Sequence, residues 1–161
     1  MSLTEMTEPD AAFADAIVES VDIAAPVARV WRALTDHAEF GAWFGGDVAA
    51  PFRVGETVSI QMQGSCGRDA VALTVVEMEE PHRFVFTWHP GVAGPDDDFS
   101  SEKQTTVEFA LAARDTGTRL TVRESGFNAI PEYRRMEAFR MNTKGWRFQL
   151  ANIERYASER T

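Results

Sequence analysis

The feature that most constrains the fold of this chain is a helical stripe in its last quarter. After Pro131, apolar or small side chains recur at spacings of three and four as far as Ala157, which is the period of one helix face. A continuous helix of about 28 residues would be about 40 Å long. We expect this helix to lie across the concave face of a curved sheet. The predicted stripe consists of Met136, Phe139, Thr143, Trp146, Leu150, Ile153 and Ala157.

The middle of the chain has the pattern of strands separated by turn residues. Alternating apolar and polar side chains predict strands near 17–24, 46–49, 57–63, 69–79, 83–89, 104–113 and 117–125. The "DTG" at 115–117 is typical of a tight hairpin turn, so the last two strands should pair antiparallel. Phe84, Phe86 and Trp88 share one face of their strand, which makes one side of the sheet strongly aromatic.

Two short helices are predicted after the first strand. Pro26 stands where a helix can accept proline, and Asp36 with Glu39 three residues later is typical of a capping box that opens the second helix. Gly45 should end it. Because the helices lie at the two ends of the strand series, the sequence predicts an α+β fold. Its expected form is a curved seven-stranded antiparallel sheet wrapped around the long C-terminal helix.

Composition limits the domain number and the class of partner. The chain has 161 residues, of which 44% are hydrophobic and 25% are charged, and this length and composition predict a single domain over 15–161. We interpret the preceding residues, 1–14, as a mobile acidic tail. A formal charge of -9 disfavours nucleic-acid binding, since a phosphate backbone would be repelled.

Cys66 is the single cysteine, which excludes an internal disulfide. No stretch has the length of a membrane span or the pattern of a secretory signal, so we expect a cytoplasmic protein.

No metal or cofactor is expected. His37, His82 and His89 lack the close spacing of helical metal ligands, and Cys66 has no basic group beside it. The "PDDDF" at 95–99 lacks the central Gly and later Glu of a calcium loop. The acidic connection at 89–103 is longer than a tight hairpin needs, and it is either a lid or a tolerated insertion.

Glu124 is the strongest candidate for a functional residue. If Leu120 and Val122 face the core, alternation along the strand brings Glu124 inward, within a few ångströms of the long helix. There it would anchor a polar group of a ligand or exchange a proton. The alternative is a carboxylate at the strand end that is hydrated or paired with an arginine.

Several motifs together resemble one known superfamily. They are "APVARVWRALTD" at 25–36, "WF" at 43–44, "FVFTW" ending at Trp88, "TTVEF" at 105–109, "ESGF" at 124–127 and "GWRFQLANI" at 145–153. In order and spacing they resemble the START-like, or SRPBCC, superfamily. The closest branch is that of the C-terminal domain of the activator of the heat-shock-protein-ninety ATPase. The resemblance implies a helix-grip fold with a cavity between the sheet and the C-terminal helix.

The resemblance implies that an apolar or aromatic small molecule binds in that cavity. The expected ligand-binding residues are Trp43, Phe44, Trp88, Phe109, Glu124, Met136, Phe139, Thr143 and Trp146. One alternative is a cyclase- or aromatase-like enzyme that uses Glu124, with Arg123, Arg140 or His89 as the second polar group. A further alternative is a stress-related, co-chaperone-like interaction module that binds through its surface. The sequence leaves the ligand and the oligomeric state open.

Overall fold

The computed structural model describes residues 15–63, 70–91 and 99–159. These described residues form seven strands, three α-helices and one short 3-10 turn, in the predicted α+β order. The elements are β1 (Ala16–Ile23), α1 (Val27–Thr35), α2 (His37–Phe44), β2 (Gly46–Val48), β3 (Thr57–Met62), β4 (Ala70–Glu79), β5 (Arg83–Trp88), β6 (Thr105–Arg114), β7 (Gly117–Ser125), the turn Phe127–Ala129, and α3 (Glu132–Glu159). The predicted tail at 1–14, Cys66 and the "PDDD" at 95–98 lie outside the described residues.

The strands form one antiparallel sheet in the order β1-β7-β6-β5-β4-β3-β2. Arg114 pairs with Gly117, so a two-residue turn joins β6 and β7, as the "DTG" predicts. The curved sheet and the 28-residue α3 confirm the helix-grip prediction. Trp88 on β5 and Phe109 on β6 pack against Trp146 of α3, and Phe84, Phe86 and Phe109 are fully buried.

Local signals account for the ends of α2. Asp36 Oδ1 accepts hydrogen bonds from the amides of Ala38 at 3.0 Å and Glu39 at 3.1 Å, as an N-cap residue should. The Glu39 side chain does not complete a capping box, because it binds Arg29 at 2.7 Å and Arg32 at 3.2 Å instead. Gly45 ends the helix with φ at 93°, a left-handed conformation that glycine adopts without steric penalty.

Asp22 on β1 is paired across the sheet with Arg119 on β7. Hydrogen bonds from Arg119 to Asp22 Oδ1 at 2.8 Å and Oδ2 at 3.1 Å hold the pKa of Asp22 below its usual value of 3.8. The pair therefore stabilises the fold above pH 3.8 and loses its contribution as the pH falls through the lowered pKa. An NMR titration of the Asp22 carboxyl should show this low pKa, and Arg119→Met should raise it toward 3.8. An unchanged titration in the variant would refute the pairing.

Candidate functional site

Glu124 lies on the inward face of β7, in line with Leu120 and Val122. All three side chains have 0% of their surface exposed, so Glu124 follows Leu120 and Val122 inward, the first of the two alternatives that the sequence left open. Glu124 also lies within hydrogen-bonding distance of α3, as expected. A carboxylate buried this completely requires partners for its oxygen atoms.

Four neutral side chains supply those partners. Their donor atoms are Trp88 Nε1 at 2.9 Å and Thr105 Oγ1 at 2.6 Å from Oε2, Trp146 Nε1 at 2.8 Å from Oε1, and Asn142 Nδ2 at 2.9 Å from Oε1 and 3.1 Å from Oε2. We call Glu124 and these four residues the Glu124 cluster. An ionised carboxylate only accepts hydrogen bonds and has about four lone-pair sites, so it matches this donor set. Within the described part of the chain, no arginine pairs with Glu124, and the alternative of an arginine partner is not found.

Strand register brings three members of the cluster together. Trp88 on β5 is paired with Thr105 on β6, and Glu124 on β7 is paired with Val107, two residues further along β6. Thr105 and Glu124 are therefore diagonal neighbours on the same face of the sheet. Helix α3 supplies the other two members, since Asn142 and Trp146 lie four residues apart on one side of the helix. The indole rings of Trp88 and Trp146 stack with their centroids 5.6 Å apart.

Asn142 links the buried carboxylate to the segment that follows β5. While its amide nitrogen donates to Glu124, its Oδ1 accepts a hydrogen bond from the backbone amide of Gly91 at 3.3 Å. A Cβ at Gly91 would lie 3.0 Å from Arg134 Nη1 and 3.5 Å from the Ala138 Cβ. With φ at 86°, glycine therefore suits both the backbone conformation and the close approach of this segment to α3.

A buried ion pair holds the two ends of the 89–103 connection against α3. Arg134 donates to Glu102 Oε1 from Nε at 2.9 Å and from Nη2 at 2.7 Å, and its Nη1 donates to the Pro90 carbonyl at 2.9 Å. The side chains of Arg134 and Glu102 are only 9% and 11% exposed. The Phe99 ring covers the guanidinium at 3.7 Å. These contacts involve the described ends of the connection, while residues 92–98 of the predicted lid or insertion lie outside the described residues.

A cleft of about 260 Å³ opens beside this ion pair. Its walls come from the first half of α3 and from both described ends of the connection. The lining residues are Gly91, Phe99, Tyr133, Arg134, Glu137, Ala138 and Met141. Gly91 lines the cleft, and its backbone amide donates a hydrogen bond to Asn142, which in turn donates to Glu124. Asn142 therefore connects the lining of the cleft to the Glu124 carboxylate.

Five of the predicted wall residues form a continuous aromatic cluster. Trp43, Phe44, Trp88, Phe109 and Trp146 are all buried. Neighbouring ring centroids lie 5.7 Å apart for Trp43 and Phe44, 6.3 Å for Phe44 and Trp88, and 5.6 Å for Phe109 and Trp146. The structure therefore brings these residues together, with their rings packed against one another.

The other three predicted wall residues occupy different positions. Met136 is 41% exposed, so its expected place on the buried stripe is wrong. Phe139 packs edge-on against Phe127 with ring centroids 5.1 Å apart. The Thr143 hydroxyl donates to the Phe139 carbonyl at 2.8 Å, within the helix. In the first half of α3 the buried side chains are instead those of Arg134 and Ala138. Arg134 can be buried because its guanidinium donates hydrogen bonds to the Pro90 carbonyl and the Glu102 carboxylate.

Sequence reasoning missed Thr105, Asn142, Arg134 and Glu102 as site residues. A spacing of four from Trp146 back through Asn142 and Ala138 to Arg134 was available as a signal, but the predicted stripe continued from Trp146 through Thr143 and Phe139 instead. The suggested second polar groups lie elsewhere: Arg123 and Arg140 are exposed, and the His89 ring hydrogen-bonds to the Glu102 carbonyl at 3.1 Å.

Two properties of the described residues bear on other classes of function. Residues 15–63, 70–91 and 99–159 contain no group of three or more His, Cys, Asp or Glu side chains placed to hold a metal ion. In the same part of the chain, no helix has both the length and the apolar character needed to cross a membrane.

Comparisons with known proteins identify relatives of this fold. A family model described as "Activator of Hsp90 ATPase homolog 1-like protein" matches residues 24–158. No curated protein sequence matches the chain. Among solved structures, DynU16, described as a putative protein in the dynemicin biosynthetic locus, is 25% identical with a TM-score of 0.69. That match covers 88% of this chain and 46% of DynU16, so the chain spans less than half of that relative.

Two further solved structures match along most of both chains. Protein MLL2253 from Mesorhizobium loti is 21% identical with a TM-score of 0.73, over 91% of this chain and 98% of that one. The Aha1 dimer from Colwellia psychrerythraea is 17% identical with a TM-score of 0.65, over 86% and 92% of the two chains. At these identities the likeness shows the fold alone.

Proposed function

The chain belongs to the activator of Hsp90 ATPase homolog 1-like family, and within that family we propose that it binds a small molecule with an apolar or aromatic body. The binding site is the cleft between α3 and the connection that follows β5. Since one fold of this kind serves several activities, the proposal depends on the site rather than on the family name.

The lining of the cleft is the observation that carries the proposal. Phe99, Tyr133, Ala138 and Met141 present aromatic or apolar groups, and Arg134 and Glu137 add polar ones. Ligand sites typically combine apolar walls with a few fixed polar groups. At about 260 Å³ the cleft is slightly below the range of about 300–1,000 Å³ that is usual for drug-sized ligands, so it suits a smaller molecule.

The Glu124 cluster supports this site from behind its lining residues. Glu124 orients the Asn142 amide, and Asn142 in turn receives the amide of Gly91, which lines the cleft. In this proposal Glu124 acts through Asn142 and does not touch the ligand, while Trp88 and Trp146 hold the carboxylate in place. Thr105 completes the same support from β6. Binding is then burial of ligand surface against a preformed wall.

A thermal-shift screen of small aromatic and aliphatic alcohols, acids and amines tests the proposal. A ligand that binds only the folded state should raise the melting temperature as its concentration increases. Met141→Trp should abolish the shift, because a larger side chain at this lining position fills the cleft. Phe148→Trp is the matched control, since Phe148 is exposed on α3 and does not line the cleft.

Comparison of the ligand-induced melting-temperature shift in the two variants shows whether the ligand binds in the cleft. A shift that disappears in Met141→Trp and persists in Phe148→Trp supports binding in the cleft. A shift that survives Met141→Trp would place the ligand elsewhere, for example among the aromatic rings beneath α3. A screen in which no compound shifts the melting temperature, run at concentrations up to several millimolar, would overturn the proposed function.

An enzyme of the cyclase or aromatase kind is the second candidate. The observation in its favour is the 25% identity to DynU16, whose description refers to a biosynthetic locus. The geometry of Glu124 counts against a direct proton transfer, because both carboxylate oxygens already accept hydrogen bonds from the cluster. Turnover of a cleft ligand, followed by mass spectrometry, would favour the enzyme over the binding protein.

A surface that binds another protein is the third candidate. Tyr133 and Phe148 are 80% and 66% exposed on the outer side of α3, and one structural relative is described as a dimer. Concentration-dependent association, lost on replacing Phe148 by Ser, would favour this role.

A further inference from the structure

We propose that the ligand of the cleft carries a cationic group, such as a protonated amine, beside its apolar or aromatic body. This inference rests on the binding function proposed above and names the chemical class of its ligand. It depends on which charges in the cleft are already neutralised and which are not.

The positive charge in the cleft is neutralised within the protein. Arg134 binds Glu102 Oε1 through two nitrogens, at 2.7 Å and 2.9 Å, and its third hydrogen-bonding nitrogen donates to the Pro90 carbonyl at 2.9 Å. The Phe99 ring covers the guanidinium, and 8% of the Arg134 residue is exposed. Because Glu102 already neutralises this guanidinium, an anionic ligand that approached Arg134 would bring a second negative charge close to Glu102.

The negative charge in the cleft is not neutralised in the same way. Glu137 lines the cleft on the exposed side of α3, and within residues 15–63, 70–91 and 99–159 no basic group forms an ion pair with it. The whole chain has a formal charge of -9, which adds a long-range attraction for cations. The cleft thus offers a carboxylate that a cation can approach from solvent.

Aromatic and sulfur groups flank this carboxylate along the helix. Tyr133, Glu137 and Met141 follow one another at intervals of four residues, so they form one row on α3, and all three line the cleft. The Tyr133 ring offers a face that attracts cations, while Met141 and Ala138 contact the apolar body. A molecule with an amine next to a ring or short chain matches this order of groups.

Three compounds that share one aromatic body test the inference: 1-naphthylmethylamine, 1-naphthylmethanol and 1-naphthoic acid. Their dissociation constants are measured by calorimetry at low ionic strength on the full chain. The amine should bind about threefold to fivefold more tightly than the alcohol, the range of an exposed ion pair, and the acid should bind most weakly. Added salt should reduce the preference for the amine.

Two variants on the same helix show which carboxylate is responsible. Glu137→Gln should bring the amine and the alcohol to equal affinity, and Glu132→Gln should leave the preference intact, since Glu132 is exposed on α3 outside the cleft. Equal binding of all three compounds to the parent, or a preference for the acid, would overturn the inference while leaving the binding function standing. Absence of binding by all three would overturn the inference, and the function screen would then decide the binding proposal separately.

Discussion

Glu124→Gln should lower the free energy of unfolding by about 2–4 kcal/mol, even though the two side chains have nearly the same shape. The carboxylate accepts from Trp88, Thr105, Asn142 and Trp146, and a glutamine replaces one acceptor oxygen with an NH2 donor. Whichever way the amide is oriented, a donor then faces an indole N–H that cannot accept. Urea unfolding, followed by tryptophan fluorescence, measures the change.

Glu19→Gln is the matched control, because it also replaces a carboxylate by an amide but does so outside the Glu124 cluster. Glu19→Gln breaks only the exposed contact with Arg147 at 3.1 Å and should lower the free energy of unfolding by less than about 1 kcal/mol. Trp146→Phe removes one donor from the cluster, so its effect should be non-additive with that of Glu124→Gln. If Glu124→Gln is as stable as the parent and the two effects add, the cluster does not hold this part of the fold together.

Arg134→Met should lower the free energy of unfolding by about 3 kcal/mol. The substitution keeps much of the apolar length of the side chain but leaves Glu102, whose side chain is 11% exposed, without its cation. It also removes the hydrogen bond to the Pro90 carbonyl. We expect faster amide hydrogen exchange at Gly91 as well, because this end of the connection is no longer held against α3.

The double variant Arg134→Met with Glu102→Met shows whether the uncompensated charge is responsible. It should be more stable than Arg134→Met alone, because no unpaired carboxylate stays buried. Arg140→Met is the control on the same helix: Arg140 is exposed, and its replacement should change the free energy of unfolding by less than about 0.5 kcal/mol. Equal destabilisation by Arg134→Met and Arg140→Met would contradict a structural role for the ion pair.

Period-two patterns predicted the sheet well. Each of the seven strands lies within one or two residues of its predicted bounds, and the antiparallel hairpin at 115–117 is confirmed. Alternation from Leu120 and Val122 also made an inward Glu124 one of two alternatives, and the structure shows the inward one. These features follow from short-range geometry, because neighbouring side chains on a strand must point to opposite faces.

Helix periodicity was less reliable for the first half of α3. The length of the helix was predicted, but its buried face was assigned mainly from apolar residues. Met136 was placed on that face and is exposed, whereas Arg134 is buried beside Glu102. Arg134 is buried because Glu102 neutralises its charge, and that partner lies 32 residues earlier in the sequence.

Repeats of two to four residues were sufficient to predict the order of strands and helices, but they left the direction of Glu124 open. Tertiary contacts give that carboxylate its inward direction and its partners. Trp88 lies 36 residues before Glu124, and Trp146 lies 22 residues after it. Hydrogen bonds require the donor and acceptor to lie about 3 Å apart, and no local pattern specifies which distant donors will meet at one buried acceptor.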